Sequence, residues 1–317
     1  MKDGPRILVV RLGAMGDVIH TLPAVASLKH SIPYSQITWV IEAKWAALLD
    51  GNPYVERVIA LDRRTFSGFR ETWRQLRAHS FECAVDFQGL TKSALVAALA
   101  WPERVYGFED SRETPASWFY SSTVLPDPVL HMVERNLALA GAAGASSLLR
   151  SFSIPAGEPE GELPEGEFVL ASPLAGWGAK QWPLEFYSTL GLRIGQETGM
   201  RLVLNGPVPL EVEHTFPHVS GLRGLIHATR RAAAVVGLDS GPLHLAAALG
   251  KQGVAIYGPT DPGRNGPYKS NLTLLRSNAA ITTYRRTATP DASMRAIPPD
   301  AVFEALKPAL VSNVKRQ

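Results

Sequence analysis

The alternation of strand-like and helix-like segments constrains the fold of this chain more than any other feature of its sequence. Short apolar runs of strand length recur in both halves, and helical stretches separate most of them. Such alternation predicts an α/β protein with parallel sheets, in which ligands bind at the carboxyl ends of the strands. The predicted strands are 7–10, 36–41, 57–60, 83–86, 104–107, 168–171, 201–205, 234–238 and 253–257, and the clearest predicted helices are 22–30, 91–99, 184–198 and 243–249.

The length of the chain and one change in composition predict two domains. A chain of 317 residues is longer than a single hydrophobic core usually supports. Residues 154–166 are rich in Pro, Gly and Glu, a composition that cannot form a core and is typical of a linker. We therefore expect one domain at 1–155, a second at 156–298, and a final helical segment at 299–317 that can return to the first domain.

Charge and composition exclude several classes of protein. A formal charge of +3 is too small to indicate a nucleic-acid partner, although it suits anionic small molecules or an anionic membrane surface. The single cysteine, Cys83, excludes an internal disulfide and lies in an apolar run, which is typical of a buried thiol in a reducing compartment. No signal-peptide pattern and no membrane-spanning run are present, so we expect a cytoplasmic protein that at most rests on a membrane.

Two junctions between a strand and a helix carry the candidate chemistry. The first reads Arg-Leu-Gly-Ala-Met-Gly-Asp at 11–17, and the second reads Leu-Asp-Ser-Gly-Pro-Leu-His at 238–244. Such turns direct backbone N–H groups and the positive end of a helix dipole at a ligand. The first junction offers a carboxylate and the second suits an anion, so the pair indicates group transfer from a phosphorylated donor.

Asp17 has two interpretations, as the N-cap of the following helix or as a general base. Asp is a preferred N-cap, and a helix N-terminus stabilises the carboxylate, which weakens it as a base. A hydroxyl nucleophile becomes acidic as its new bond forms, however, so a weak base can still take the proton late in the reaction.

The second junction and one lysine are candidates for binding a diphosphate. Gly241 allows close approach to the backbone, Ser240 and Asp239 precede it, and His244 can add a hydrogen bond to a phosphate or sugar oxygen. Lys180 follows a Gly-rich approach after a predicted strand and is a candidate phosphate contact. The alternative is a tightly turned junction with a packed histidine and a solvated lysine. The sequence contains no Asp-x-Asp, no Cys/His cluster with metal spacing and no P-loop, so nothing in it requires a metal or another cofactor.

The segment 63–82 is predicted to be an amphipathic helix. Phe66, Phe69, Trp73 and Leu76 follow helical spacing and form one stripe, while arginines occupy other positions. The arginines are either the solvated face of a packed helix or a basic surface that meets an anionic lipid or acceptor.

These motifs resemble the ADP-heptose:lipopolysaccharide heptosyltransferases of glycosyltransferase family 9, with heptosyltransferase I as the nearest pattern. The resemblance covers most of residues 5–270. It rests on the segments 11–23, 86–93, 112–117, 131–135, 180–183, 239–244 and 257–263.

The resemblance implies a GT-B fold, with two doubly wound Rossmann-like domains facing each other across a cleft, and an inverting, metal-independent transfer of heptose to Kdo of lipid A. It implies a peripheral enzyme at the cytoplasmic face of the inner membrane, with no nucleic-acid partner. Alternatives are heptosyltransferase II, a related transferase for another sugar, or a non-catalytic nucleotide-sugar-binding protein. By resemblance the general base is Asp17, the donor-binding residues are Lys180, Asp239, Ser240, Gly241, His244 and Glu211, and the acceptor-binding residues are Arg63, Arg64, Lys92 and Arg112.

Overall fold

Two compact units, Met1–Pro155 and Ala156–Gln317, make up the computed structural model, which describes residues 4–62, 65–283 and 285–314. The division falls inside the Pro- and Gly-rich segment. That segment has no regular secondary structure and is bonded to the second unit, where the Glu160 carboxylate accepts a hydrogen bond of 2.6 Å from the N–H of Gly221.

The first unit is built on a six-stranded parallel sheet with the strand order β3-β2-β1-β4-β5-β6. Helices cover both faces of the sheet, which is why the strands are apolar on both sides. In order along the chain, the elements are β1 (Arg6–Val10), α1 (Met15–Ser31), β2 (Gln36–Glu42), β3 (Arg57–Leu61), α2 (Phe66–Arg77), β4 (Cys83–Asp86), α3 (Thr91–Leu99), β5 (Arg104–Phe108), β6 (Ser122–Val124) and α4 (Met132–Ala142), with 3₁₀ segments at Ala43–Leu49 and Thr114–Phe119.

The side chains of β1, which point alternately to the two faces of the sheet, show how this sheet is packed. Leu8 and Val10 lie in one buried cluster with Leu76 of α2 and Val96 of α3, so these two helices cover one face. Ile7 and Val9 are also buried and point to the opposite face, because successive side chains of a strand alternate. The carboxyl end of β1 leads directly into α1, which places Asp17 at the ligand-binding edge of the sheet.

The second unit repeats this plan with the strand order β12-β11-β10-β7-β8-β9. Its largest core cluster joins the sheet to α5 and α10 through residues such as Tyr187, Leu204 and Phe303. In order along the chain, its elements are β7 (Phe168–Ala171), α5 (Leu184–Thr198), β8 (Arg201–Gly206), β9 (Thr215–Val219), α6 (Leu222–Arg231), β10 (Ala234–Leu238), α7 (Gly241–Ala248), β11 (Gln252–Tyr257), α8 (Pro262–Asn265), β12 (Asn271–Arg276), α9 (Ala292–Arg295) and α10 (Pro299–Val314), with a 3₁₀ segment at Gly178–Lys180.

The final helix, α10, packs within the second unit. Val302, Phe303 and Leu306 belong to the same buried cluster as α5 and the sheet. The predicted return of residues 299–317 to the first domain stays a prediction. Within the described residues, no helix combines the length and the apolar character that crossing a bilayer requires.

The α/β class predicted from the sequence is confirmed, and all nine predicted strands are present with ends that differ by at most one residue. Three strands that were not predicted, β6, β9 and β12, lie at sheet edges. An edge strand is paired on one side only and is partly exposed, so it lacks the buried apolar run that reveals a central strand. Pro217 within β9 further obscures its signal.

Gly253 in β11 is required by the backbone of the second sheet. Its φ is +146°, and a Cβ at this position would lie 1.9 Å from the carbonyl oxygen of Val235 on β10. We expect Gly253→Ala to lower the free energy of unfolding by about 2–4 kcal/mol, because the side chain adds a clash to a disfavoured conformation. Urea unfolding followed by circular dichroism measures the change.

Gly250 provides the matched control for this prediction. It also has a positive φ, +68°, but a Cβ there would meet nothing within 4 Å. Gly250→Ala should therefore lower the free energy of unfolding by only about 1–2 kcal/mol, the cost of the left-handed backbone conformation for a residue with a Cβ. Equal losses in the two variants would contradict the proposed clash with Val235.

Candidate functional site

Asp17 is the third residue of α1, because the helix begins at Met15 and Ala14 is its N-cap. The interpretation of Asp17 as an N-cap is therefore wrong. Its Oδ2 instead reaches back and accepts a hydrogen bond of 3.3 Å from the backbone N–H of Ala14. The side chain is 28% exposed, so one part of the carboxylate faces the protein and another part is accessible to a ligand.

Arg11 holds the buried side of this carboxylate, a role that the sequence analysis did not assign. Arg11 is the residue after β1 and is 2% exposed. Its Nη2 lies 2.9 Å from Oδ1 of Asp17, and its Nη1 donates to the carbonyl of Phe87. A planar guanidinium with two acceptors fixes direction as well as charge, so Arg11 orients Asp17 relative to the strand ends.

The loop after β4 holds the backbone next to Arg11 in place. The side-chain oxygen of Gln88 accepts a hydrogen bond of 2.7 Å from the N–H of Leu12. Asp86 lies beneath this loop and accepts hydrogen bonds from Tyr120 at 2.7 Å and from Ser93 at 2.8 Å. Burial raises the pKa of Asp86, and its hydrogen bonds offset this only in part. The motif 86–93 thus serves largely to support the end of β1.

Two of the predicted acceptor-binding cations lie at the same edge of the first sheet. Arg112 is 62% exposed, and its Nη1 lies 3.9 Å from Oδ2 of Asp17. Lys92 is the exposed second residue of α3, whose first N–H donates to the Glu113 carboxylate at 2.8 Å. The pKa of Glu113 is lowered, chiefly by hydrogen bonds from Thr91 and then by the charges of Lys92 and Arg112. Arg63 and Arg64, the other two predicted acceptor contacts, lie outside the described residues.

The predicted donor-binding residues Lys180 and Asp239 form an ion pair in the second unit. Lys180 Nζ lies 2.5 Å from Asp239 Oδ2, and the two side chains are 16% and 14% exposed. Asp239 follows β10, and Lys180 ends the 3₁₀ segment after β7, which is the strand next to β10. The pair therefore lies at the carboxyl edge of the second sheet, where α/β proteins bind ligands.

This ion pair lies beside the N-terminus of α7. Ser240 is the N-cap of α7, and its side chain makes no capping hydrogen bond to the first turn. Gly241 and Pro242 follow as the first helical residues, and Pro has no N–H that needs a partner. His244 is buried in the first turn. An anion at this end of α7 would meet the helix dipole and the Lys180 ammonium together.

Trp177 and Tyr257 complete the surroundings of this cluster. The segment that begins at Tyr257 was one of the motifs of the resemblance, whereas no role was predicted for Trp177. Lys180 Nζ lies 4.3 Å from the centre of the Trp177 ring, and the Arg286 guanidinium lies 5.0 Å from the same ring. The hydroxyl of Tyr257 is buried without a hydrogen-bond partner among the described residues. Burial raises the pKa of Tyr257, with a smaller contribution from the charge of Asp239. Tyr257 therefore remains a neutral hydroxyl next to the ion pair.

Glu211, the remaining predicted donor contact, lies apart from this pair in the fold. It is exposed in the loop between β8 and β9, and β8 is separated from β10 by β7. It is five residues beyond the end of β8 and four before the start of β9. Its contact with the donor stays a prediction.

Residues 4–62, 65–283 and 285–314 contain no group of three or more His, Cys, Asp or Glu side chains placed to hold a metal ion. Cys83 is partly buried at the start of β4. Burial, followed by the charge of Glu82, raises the pKa of its thiol to about 11. The thiol is therefore protonated near neutral pH and is not an activated nucleophile.

The ion pair of Arg11 with Asp17 leads to a prediction about catalysis. In Arg11→Met the volume is largely retained but Asp17 loses the group that orients it, so we expect kcat to fall about 100-fold with little change in the KM for the donor. Arg11→Lys keeps the charge but cannot span both acceptors, and an intermediate kcat is expected. Steady-state kinetics, together with thermal unfolding, would measure this. An unchanged kcat in Arg11→Met would show that the pair is only structural.

Comparison with known proteins places this geometry among glycosyltransferases. Residues 69–291 match a family described as glycosyltransferase family 9 (heptosyltransferase). The chain is 30% identical to lipopolysaccharide heptosyltransferase 1 of Escherichia coli strain K12 over 305 residues, which covers 86% of this chain and 93% of that relative.

Two solved structures of an E. coli heptosyltransferase have the same architecture. One is heptosyltransferase WaaC with ADP, with a TM-score of 0.76 at 27% identity over 96% of this chain and 99% of that chain. The other is WaaC with ADP-2-deoxy-2-fluoro heptose, with a TM-score of 0.73 at 26% identity over 94% of this chain and 98% of that chain. The family resemblance and the GT-B fold predicted from the sequence are confirmed.

Proposed function

Since this chain belongs to glycosyltransferase family 9, the heptosyltransferases, we propose that it transfers heptose from ADP-heptose to Kdo of lipid A in the synthesis of the lipopolysaccharide inner core. The observation that carries the proposal is the Lys180–Asp239 pair beside the N-terminus of α7. A diphosphate is the group that such a site suits best, and ADP is the nucleotide bound by the similar WaaC structure.

Asp17 is the proposed general base. The carboxylate takes the proton from the acceptor hydroxyl while that oxygen forms its bond to the anomeric carbon of heptose. The bond between the anomeric carbon and the diphosphate oxygen breaks in the same displacement, so the configuration is inverted and ADP leaves with the electron pair. Because Arg11 holds Oδ1, the oxygen that receives the proton is Oδ2, which lies nearer to Arg112.

Lys180 and the first turn of α7 are proposed to stabilise the departing ADP. An ammonium has three donors: one is used by Asp239, and the Trp177 ring lies under the cation. Lys180 thus retains a donor for a phosphate oxygen while its position is fixed. Fixed donors of this kind stabilise negative charge as it develops, and they allow the departure of a diphosphate without a metal ion. Gly241, His244 and Glu211 are proposed as further contacts to the donor.

Lys92 and Arg112 are proposed to bind the anionic acceptor. Both are exposed cations at the edge that carries Asp17, and Kdo and lipid A bring carboxylate and phosphate groups. Arg63 and Arg64 are proposed to join them. Since the acceptor is a lipid, we place the reaction at the cytoplasmic face of the inner membrane, with the enzyme bound peripherally.

Mass spectrometry of the product tests this function directly. The purified chain is incubated with ADP-heptose and a Kdo-lipid A acceptor, and the expected product is heavier by one heptosyl residue, with ADP released in equal amount. Parallel reactions use an acceptor that already carries heptose and other nucleotide sugars as donors. Transfer only to the heptosylated acceptor would indicate heptosyltransferase II activity. Binding of ADP-heptose with no product from any acceptor would indicate a non-catalytic binding protein.

A further inference from the structure

The outer side of the helical layer formed by α2, α3 and the 3₁₀ segment Thr114–Phe119 exposes an unusual set of side chains. Trp73 is 47% exposed, Trp101 is 75% exposed and Trp118 is 79% exposed. Leu95 on α3, at 41%, lies on the same layer. Large aromatic side chains are normally buried at least in part, so three exposed tryptophans on one layer require an explanation.

The arrangement of α2 differs from the stripe predicted from the sequence. Leu76 is buried as expected, but Trp73 faces outward, so its assignment to the core-facing stripe is wrong. The side chains of Phe66 and Phe69 lie outside the described residues. The exposed stripe is instead Arg70, Trp73 and Arg77, whose spacing of three and four residues places them on one side of the helix.

Contacts between the elements join the parts of this layer. The Arg77 guanidinium of α2 lies 4.5 Å from the centre of the Trp101 ring, which follows α3. The 3₁₀ segment that carries Trp118 packs against α3. We call the set Arg70, Trp73, Arg77, Leu95, Trp101 and Trp118 the Trp–Arg surface.

The charge of this layer is positive. Helices α2 and α3 together contain the cations Arg70, Arg74, Arg77 and Lys92 and one carboxylate, Glu71. That carboxylate is paired with Arg74 at 2.7 Å, and the hydrogen bond from Arg74 is the main reason that its pKa is lowered to about 2. The remaining positive charge of α2, on Arg70 and Arg77, therefore lies beside Trp73 and Trp101.

We propose that the Trp–Arg surface docks on the headgroup region of an anionic phospholipid bilayer. Tryptophan prefers the boundary between headgroups and acyl chains, and arginine beside it is attracted to anionic lipids. The only carboxylate of α2 and α3, Glu71, is paired with Arg74, so the charge of these helices is complementary to the negative surface of an anionic bilayer. This inference rests on the proposed function only for the expectation that the acceptor is a lipid.

Docking through this surface would bring the reaction edge to the lipid. Helix α3 starts at the carboxyl edge of the sheet, where Lys92 and Arg112 lie near Glu113. A lipid-anchored acceptor in the same membrane would therefore approach Asp17 along the surface of the bilayer. The bilayer also raises the local concentration of the acceptor.

Vesicle binding tests the proposal without any need for turnover. The full chain is sedimented with phosphatidylcholine vesicles that do or do not contain phosphatidylglycerol, at low and high salt. We expect binding only to the anionic vesicles and weaker binding at high salt. Combined replacement of Trp73, Trp101 and Trp118 by Ala should weaken binding at least about tenfold, and Arg70→Gln with Arg77→Gln should do so as well.

Tyr34→Ala is the matched control, because Tyr34 is an aromatic side chain that is 83% exposed, lies between α1 and β2, and is not part of the Trp–Arg surface. Its vesicle binding should equal that of the wild type. Circular dichroism of each variant verifies folding. Wild-type binding by both the triple tryptophan variant and the double arginine variant, or no binding of the wild type to anionic vesicles, would overturn the proposal. A dimer in solution that the tryptophan substitutions dissociate would also overturn it, since the occupant would then be a second copy.

Two acceptors separate this inference from the proposed function. With a deacylated, water-soluble Kdo acceptor, the triple tryptophan variant should transfer heptose at the wild-type rate. With an acceptor embedded in anionic vesicles, its rate should fall in parallel with binding. If no acceptor is glycosylated while vesicle binding still depends on the Trp–Arg surface, the proposed function fails and the docking surface stands.

Discussion

Asp17→Asn should lower kcat about 1,000-fold, within the range of roughly 100 to 10,000 that general base catalysis contributes. The amide oxygen of Asn can still accept from the N–H of Ala14 or from Arg11, so the start of α1 is retained. Binding of ADP, measured by calorimetry, should be unchanged because the predicted donor contacts lie in the other unit. The fall in kcat would therefore result from the loss of proton transfer and not from a change in the fold.

Asp62→Asn is a suitable control for this prediction. Asp62 follows β3 at the same edge of the first sheet, and its Oδ2 accepts a hydrogen bond of 3.3 Å from the Thr65 hydroxyl. Its kcat should remain at the wild-type value. A kcat near that of the wild type in Asp17→Asn would refute the assignment of the base.

Lys180→Met is expected to have the second largest effect, a loss of about 100- to 1,000-fold in kcat/KM for the donor. The substitution removes the cation that faces the departing diphosphate and leaves the Asp239 carboxylate, which is 14% exposed, without its partner. Both binding of the donor and stabilisation of the leaving group should suffer, so we expect KM to rise and kcat to fall. Steady-state kinetics with varied ADP-heptose would measure both.

Two further variants locate the origin of this effect. Asp239→Asn keeps an acceptor for Lys180 but removes the negative charge, so the loss should be smaller, about tenfold. Lys307→Met removes a lysine of the same unit that pairs with Glu197 and Glu304 at the surface of α10. Its kinetics should match those of the wild type. An equal loss in Lys180→Met and Lys307→Met would mean that the effect is one of general charge.

The central strands could be predicted from the sequence because a buried strand is recognisable as a continuous run of apolar residues. A strand such as Ala234–Leu238 is paired on both sides and covered on both faces, and its five residues are all buried. Every position is therefore apolar, and the segment is recognisable without its neighbours. The edge strand Asn271–Arg276 is partly exposed and lacks a continuous run of apolar residues. The start of the helix after β1 was expected at Asp17, and the helix begins two residues earlier, at Met15.

The candidate site was predictable to the extent that its residues form local motifs. Asp17, Lys180 and the segment 239–244 stand at strand ends, and the parallel topology brings Lys180 to within 2.5 Å of Asp239 although 59 residues separate them. Arg11 belongs to a motif that the sequence analysis singled out, but a lone arginine after a strand does not disclose its partners. Its burial to 2% exposure and its contacts with Asp17 and Phe87 required the assembled sheet.

Apolar periodicity and local turns were enough to predict the α/β class, the central strands of both sheets and the residues most suited to the chemistry. Which of those side chains meet depends on how the elements of each unit pack together. This packing joins Arg11 to Phe87, joins Lys180 to Asp239, and turns Trp73 out of the core towards solvent. Such contacts join residues that are distant in the chain or set the rotation of a helix, and the packing of whole sheets against their helices fixes both.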